Sequence, residues 1–191
     1  MLKIITGKAK GKILKTLEGE ATRPTSQRIK EALFSSIQFD IESRRVLDLF
    51  AGSGGLGLEA MSRGAASCMF IDSSREAMDI IKANAKTTGF FDNCRFLVSD
   101  AKNYIRKASG RDKYDLVFID PPYSLECCFE VLNKLVSADL LADGALVAIE
   151  GGTETIDESA LGPFEVQKSA RYGSKTFLLI LLYRKEKTNE Q

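Results

Sequence analysis

The 191-residue sequence has no histidine and no tryptophan, and only four prolines and four cysteines. It also lacks any apolar run near the ~20 residues that a membrane-spanning helix needs. Without histidine there is no Ser-His-Asp or Cys-His nucleophile, no imidazole general base and no histidine metal ligand. The cysteines, Cys68, Cys94, Cys127 and Cys128, form no CxxC pair. That spacing argues against a zinc site and fits reduced thiols. Met1-Leu2-Lys3 opens no apolar signal stretch, which predicts a cytoplasmic protein. The lack of a long exposed apolar segment favours a monomer. Catalysis must therefore rest on carboxylates, backbone groups, aromatics and a bound cofactor, and no metal is expected.

The formal net charge of +1 is an average. Residues 1–30 carry eight Lys or Arg against Glu18 and Glu20, a net +6. Residues 166–191 carry six against Glu186 and Glu190, a net +4, while residues 31–165 come to −9. Basic ends around an acidic middle fit an anionic partner held by the ends, and equally fit lysine-rich termini that aid solubility.

The chain opens with two short strand patterns, Leu2 to Thr6 and Lys12 to Thr16, around the glycines Gly7 and Gly11. This predicts a basic β-hairpin. Thr25 or Ser26 is placed to cap a helix running to about Ile37. Residues 1–40 read as an appendage, and residues 41–191 as the main domain. From Arg45 the pattern becomes α/β. Apolar strands over Arg45–Phe50, Ser67–Asp72, Cys94–Ser99, Tyr114–Ile119 and Ala145–Glu150 alternate with helices, among them one with Ala77, Ile80, Ile81 and Ala85 inward. Such alternation predicts a parallel sheet covered on both faces. Pro163 to Ala170 and Lys175 to Tyr183 leave no room for a helix between them, so they should form an antiparallel edge pair.

Special residues recur at the carboxyl ends of these strands, where open α/β sheets bind ligands. Gly52, Gly54 and Gly57 spell GxGxxG, which lets a ligand approach the backbone at a helix N-terminus. A tight turn would use the same glycines. Asp72 ends the second strand, where a carboxylate can accept from ribose hydroxyls, and Asp100 follows the third, within reach of an adenine amino group. Each acid would serve equally as a helix N-cap. Asp48 stands just before the glycine loop, where it would repel a pyrophosphate but suits an ammonium. S-adenosylmethionine has an ammonium and a sulfonium and no phosphate.

Asp120-Pro121-Pro122-Tyr123 follows the fourth strand. Prolines have no N–H, so their carbonyls are freed from local pairing. A planar amine has two hydrogens to place, one on Asp120 and one on the Pro121 carbonyl. Tyr123 offers a face for a base to stack on.

These motifs resemble class I S-adenosylmethionine-dependent amino-methyltransferases. Ile4-Ile5-Thr6-Gly7 with Gly11, Thr22-Arg23-Pro24-Thr25, Arg28-Ile29-Lys30-Glu31-Ala32-Leu33-Phe34 and the closing Tyr172-Gly173-Ser174 narrow the likeness. They resemble the bacterial 16S rRNA guanine-N2 methyltransferase family (RsmD type), over about residues 2–184. The resemblance implies a Rossmann-like, mostly parallel seven-stranded sheet and transfer of a methyl group to N2 of a guanine in small-subunit ribosomal RNA. It also implies S-adenosylmethionine against Asp48, Gly52, Ser53, Gly54, Asp72 and Asp100, and the target amine against Asp120, Pro121, Pro122 and Tyr123. Lys8, Lys10, Lys12, Arg23, Arg28 and Lys30 would hold the phosphate backbone. Adenine N6 in DNA or RNA is an alternative target for a loop of this type. A nicotinamide enzyme or a non-catalytic RNA-binding module would lack a use for Asp48 or for the set of strand-end acids.

Overall fold

The computed structural model describes residues 1–17, 24–121, 125–151, 161–173 and 176–185. The apolar runs become strands β1 (Arg45–Asp48), β2 (Ser67–Asp72), β3 (Cys94–Val98), β4 (Tyr114–Ile119), β5 (Leu141–Gly151), β6 (Phe164–Tyr172) and β7 (Thr176–Tyr183). They form one sheet in the order β3-β2-β1-β4-β5-β7-β6. The first five are parallel, and β7 runs antiparallel to both β5 and β6. The order reverses between β1 and β4, which opens a crevice at their carboxyl ends. This is the seven-stranded class I methyltransferase fold.

Helices α1 (Pro24–Ser36), α2 (Gly55–Ser62), α3 (Arg75–Thr88), α4 (Ala101–Ala108) and α5 (Leu125–Ser137) cover the sheet. Alternation along each strand divides the apolar side chains between two cores. Val46, Phe70, Phe118 and Ala148 face a core with α1, α2, α3 and the N-terminal hairpin. Leu47, Ile71, Val117 and Val147 face α4 and α5. Ile4, Ala9, Leu14, Ile29 and Phe34 belong to the first of these cores. The N-terminal hairpin and α1 therefore share a hydrophobic interior with the sheet.

Several boundaries differ from the sequence reading. Helix α1 starts at Pro24, so Thr25 and Ser26 fall inside its first turn; proline suits a first helical position because that N–H is unbonded anyway. Strand β5 begins at Leu141, not Ala145. Asp143-Gly144 reads as a turn, but Gly144 takes a positive φ of 75° and the pairing with β4 shifts register there, so the strand continues through it. On α3, Met78 is buried and Ile80 only partly so. The N-terminal hairpin pairs through one bridge, Lys3 with Ile13, flanked by Ile4 N–H to Lys12 O (3.0 Å) and Leu14 N–H to Leu2 O (2.9 Å).

What holds the hairpin is helix α2. Glu59, fully buried, accepts from the backbone N–H of Ile5 (2.7 Å) and Thr6 (3.0 Å). Ser62 accepts from Ala9 N–H (2.9 Å) and donates to Thr6 O (2.6 Å). The approach is so close that a Cβ on Gly7 would lie 1.9 Å from the Ser62 carbonyl oxygen. Asn84 of α3 completes the attachment, accepting from Lys15 N–H (2.8 Å) and donating to both Lys15 O and Ser53 O (2.9 Å each). Among the described residues no helix is long and apolar enough to cross a membrane.

Candidate functional site

Strand parity decides what reaches the crevice. Asp48, Asp72, Asp120 and Glu150 each stand two residues beyond a side chain of the hairpin-side core: Val46, Phe70, Phe118 and Ala148. All four carboxylates therefore lie on one face of the sheet at its carboxyl edge. Asp100 joins them from the loop that opens α4. All five line a single cavity of about 610 Å³, together with Gly52, Ser53, Pro121 and the hairpin residues Leu2, Lys3 and Ile5. That volume suits a nucleoside-sized ligand.

The glycine loop is packed against the sheet. A Cβ on Gly57 would come within 2.3 Å of the Phe70 ring, so glycine there is a packing requirement that brings α2 onto β2. Asp48 is buried and accepts from Gly57 N–H at 3.0 Å. Burial pushes its carboxyl up to about 7, and the nearby Asp120 and Asp72 carboxylates push the same way; the Gly57 and Phe50 N–H groups oppose them. Asp72 accepts from Gly52 N–H (2.9 Å) and Ser74 N–H (2.8 Å), which ties the glycine loop to the start of α3. Each carboxylate oxygen still has capacity for another donor. Asp100 caps α4, accepting from Asn103 N–H at 2.9 Å, and remains exposed to the cavity. Capping and cavity lining are thus combined in one side chain.

Asp120 is exposed at the cavity mouth and Pro121 beside it is buried. Pro122 and Tyr123 lie outside the described residues, as does Arg23. Glu150, which no sequence motif singled out, stands beside Asp120 because β4 and β5 are parallel with Ile119 opposite Ile149. Burial, with the Asp120 carboxylate, pushes Glu150 up to about 8. The signal that could have found it is positional: after Asp48, Asp72, Asp100 and Asp120 it is the fifth acid at the carboxyl end of a parallel strand.

Of the basic residues expected at a phosphate backbone, Lys8, Lys10 and Arg28 are exposed. Lys12 is exposed but donates to Thr87 O at 2.7 Å. Lys30 is a correction. It is 6% exposed and pairs with Glu59 at 3.2 Å, so its charge is spent inside the fold. Burial pulls its amine below its ordinary value, against the pull of Glu59, and Arg63 adds to the lowering.

A ligand with a positive centre fits this pocket, and a pyrophosphate facing Asp48 does not. The ammonium and sulfonium of S-adenosylmethionine match a cavity lined by five carboxylates, with Asp48 behind the loop. The solved structure of yhhF from Escherichia coli superposes with a TM-score of 0.86 at 29% identity, covering 96% of this chain and 98% of that one. The ribosomal RNA small subunit methyltransferase D of Escherichia coli strain K12 is 35% identical over 153 residues, 80% of this chain and 76% of that protein. YlbH of Bacillus subtilis is 32% identical over 173 residues, 90% of this chain and 94% of its own length. The family model described as conserved hypothetical protein 95 matches residues 2–181. With that match spanning nearly the whole fold and crevice, the chain belongs to the conserved hypothetical protein 95 family, alongside these ribosomal RNA methyltransferase D relatives.

Proposed function

We propose that this protein is an S-adenosylmethionine-dependent ribosomal RNA methyltransferase whose target is the exocyclic N2 of one guanine in the small subunit. The observation that carries this reading is the single crevice in which the glycine loop, the strand-end carboxylates and the Asp120-Pro121 step meet. The ribosomal RNA small subunit methyltransferase D relatives support the choice of substrate.

S-adenosylmethionine supplies a methyl group already activated on sulfur. Asp48 would hold its ammonium, Asp72 its ribose hydroxyls and Asp100 its adenine amine, with Gly52, Ser53 and Gly54 beneath. A target base has to leave its stack to reach such a pocket. Asp120 and the Pro121 carbonyl then accept the two amine hydrogens and aim the nitrogen lone pair. In this reading Tyr123 stacks on the base and Pro122 keeps the loop free of competing N–H groups. As the N–C bond forms and the S–C bond breaks, the amine proton becomes acidic and passes to the Asp120 carboxylate and on to water, so no histidine base is required. Alignment of this kind supplies roughly 7–11 kcal/mol of barrier lowering. Lys8, Lys10, Lys12 and Arg28 would hold phosphates, Arg23 would join them, and an RNA substrate places the protein in the cytoplasm.

Calorimetric titration with S-adenosylhomocysteine, followed by labelled methyl transfer to small-subunit particles, naked RNA and DNA, tests the assignment. Binding, and label mapped to guanine N2, is the expected result. Label on adenine N6 or on DNA overturns the substrate, and RNA affinity without cofactor binding overturns the enzyme.

Asp48 adds a pH dependence. Its folded value of about 7 lies above its ordinary 3.8, so the empty folded state holds a proton that the unfolded chain has lost. Its contribution to stability therefore falls as pH rises from about 4 to 7 and is constant above that range. Holding an ammonium needs the ionised form, so the sign for binding is opposite. S-adenosylhomocysteine should bind about tenfold more tightly at pH 7 than at pH 5.5, and Asp48→Asn should flatten that difference. An equally steep profile in the variant would remove Asp48 from the role.

A further inference from the structure

Glu150 has no role in the methyl transfer described above, yet it lines the same cavity. Its place is set by the sheet. Phe118 pairs with Ala148 and Ile119 with Ile149, so Asp120 and Glu150 emerge at one level on neighbouring parallel strands. Such strands are about 4.8 Å apart. Parity puts both side chains on the hairpin side, the side of Phe118, Ala148 and Leu178. Glu150 is partly buried against that core, which fixes where its carboxylate can go. Lys30, the buried cation of the cavity wall, is engaged by Glu59 and not by Glu150.

An amine held by Asp120 and the Pro121 carbonyl belongs to a base whose next ring atom lies alongside. In guanine that atom is N1, which carries a hydrogen. In adenine or 2-aminopurine the ring nitrogen beside the amine has a lone pair instead. An ionised carboxylate only accepts hydrogen bonds, so at this place it welcomes the first and repels the second. We propose that Glu150 determines specificity for guanine, its carboxylate accepting the N1–H beside the amine held by Asp120. This rests on the guanine-N2 reading of the pocket and adds the residue that would enforce it. In the empty pocket burial and Asp120 hold the Glu150 proton on up to about 8. A donor brought against the carboxylate favours its ionised form.

The decisive variant is Glu150→Gln, which keeps the shape and turns one oxygen into a donor. The substrates are small-subunit particles reconstituted with guanine or with 2-aminopurine at the nucleotide mapped for the native protein. Assayed above pH 8, where the carboxyl is ionised, native protein should prefer guanine by about 100-fold. Glu150→Gln keeps one acceptor oxygen for guanine N1–H and should lose only about tenfold there, while its amide N–H can donate to N1 of 2-aminopurine and raise that substrate until the preference is gone or reversed. Glu150→Asp keeps the charge and should retain the guanine preference at a lower rate. Two results would overturn the proposal while S-adenosylhomocysteine binding is intact: a Gln variant that keeps the native preference, or one that loses both substrates in equal proportion. Label placed by the native protein on an atom other than guanine N2 would instead overturn the underlying reading, and the proposal with it.

Discussion

Replacing Asp120 with alanine is expected to cut methyl transfer roughly 10²–10³-fold while S-adenosylhomocysteine binding barely changes. In barrier terms that is about 3–4 kcal/mol. Asp120 stands at the exposed mouth of the cavity beyond the last residue of β4, so removing its side chain opens no hole in the core. In the proposed mechanism it is the carboxylate that orients the incoming amine. It also raises the proton affinity of Glu150 and Asp48, so the alanine variant should relax both. Asp120→Asn keeps one acceptor oxygen on the amine and should recover part of the rate. Single-turnover methyl transfer measures the loss, and near-normal turnover in Asp120→Ala would end the amine-orienting role.

Glu59→Ala is expected to be the most destabilising single change in the hairpin-side core. Glu59 is fully buried and receives two backbone N–H groups, Arg63 Nε at 2.9 Å and Lys30 Nζ at 3.2 Å. Its loss strands one nearly buried ammonium and one guanidinium that is 12% exposed. Breaking a buried pair by removing one partner costs about 3–5 kcal/mol. For a chain of this size that lowers the melting temperature by on the order of 10 °C. Glu59→Gln should cost nearly as much, because a neutral amide cannot accept from all four donors. Thermal unfolding by circular dichroism reads the effect, and a Glu59→Ala variant melting within about 2 °C of the native protein would contradict it.

These two residues also mark what a one-dimensional reading can and cannot reach. Asp120 announces itself through its neighbours, because Asp-Pro-Pro-Tyr after an apolar strand has few structural uses. The strand series is legible for the same kind of reason. Ser67–Asp72 and Tyr114–Ile119 are built on the apolar runs Cys68–Ile71 and Leu116–Ile119, each followed by an acid, and both strands appear in the structure at those limits. Glu59 is an ordinary helical glutamate until Ile5, Thr6 and Lys30 arrive from more than twenty residues away. Lys30 misleads because a lysine in a basic segment looks solvated, and its partner is visible only in three dimensions. Glu150 stayed hidden because the Gly151-Gly152 pair after it matches none of the ligand-loop patterns that flag Asp48 and Asp120. Its meaning comes from standing in register with Asp120, a relation set by the pairing of β4 and β5. The early start of β5 was illegible because Asp143-Gly144 has turn chemistry, yet it sits in a register shift between the Leu141 and Leu146 pairings with β4.

The attachment of the hairpin has a consequence for the order in which the molecule assembles. Residues 1–16 leave the ribosome before α2 and α3, yet on their own they have one bridge and a few turn hydrogen bonds. An isolated two-stranded hairpin is marginal in water. Its fixing partners, Glu59, Ser62 and Asn84, are 53 to 69 positions later in the chain. Contacts this distant form only after loop closure has been met. The hairpin, made before its partners, should therefore be among the last elements to settle, after α2 and α3 have docked on the sheet. The cavity wall that includes Leu2, Lys3 and Ile5 closes at that step, so competence to bind the cofactor and completion of folding should arrive together.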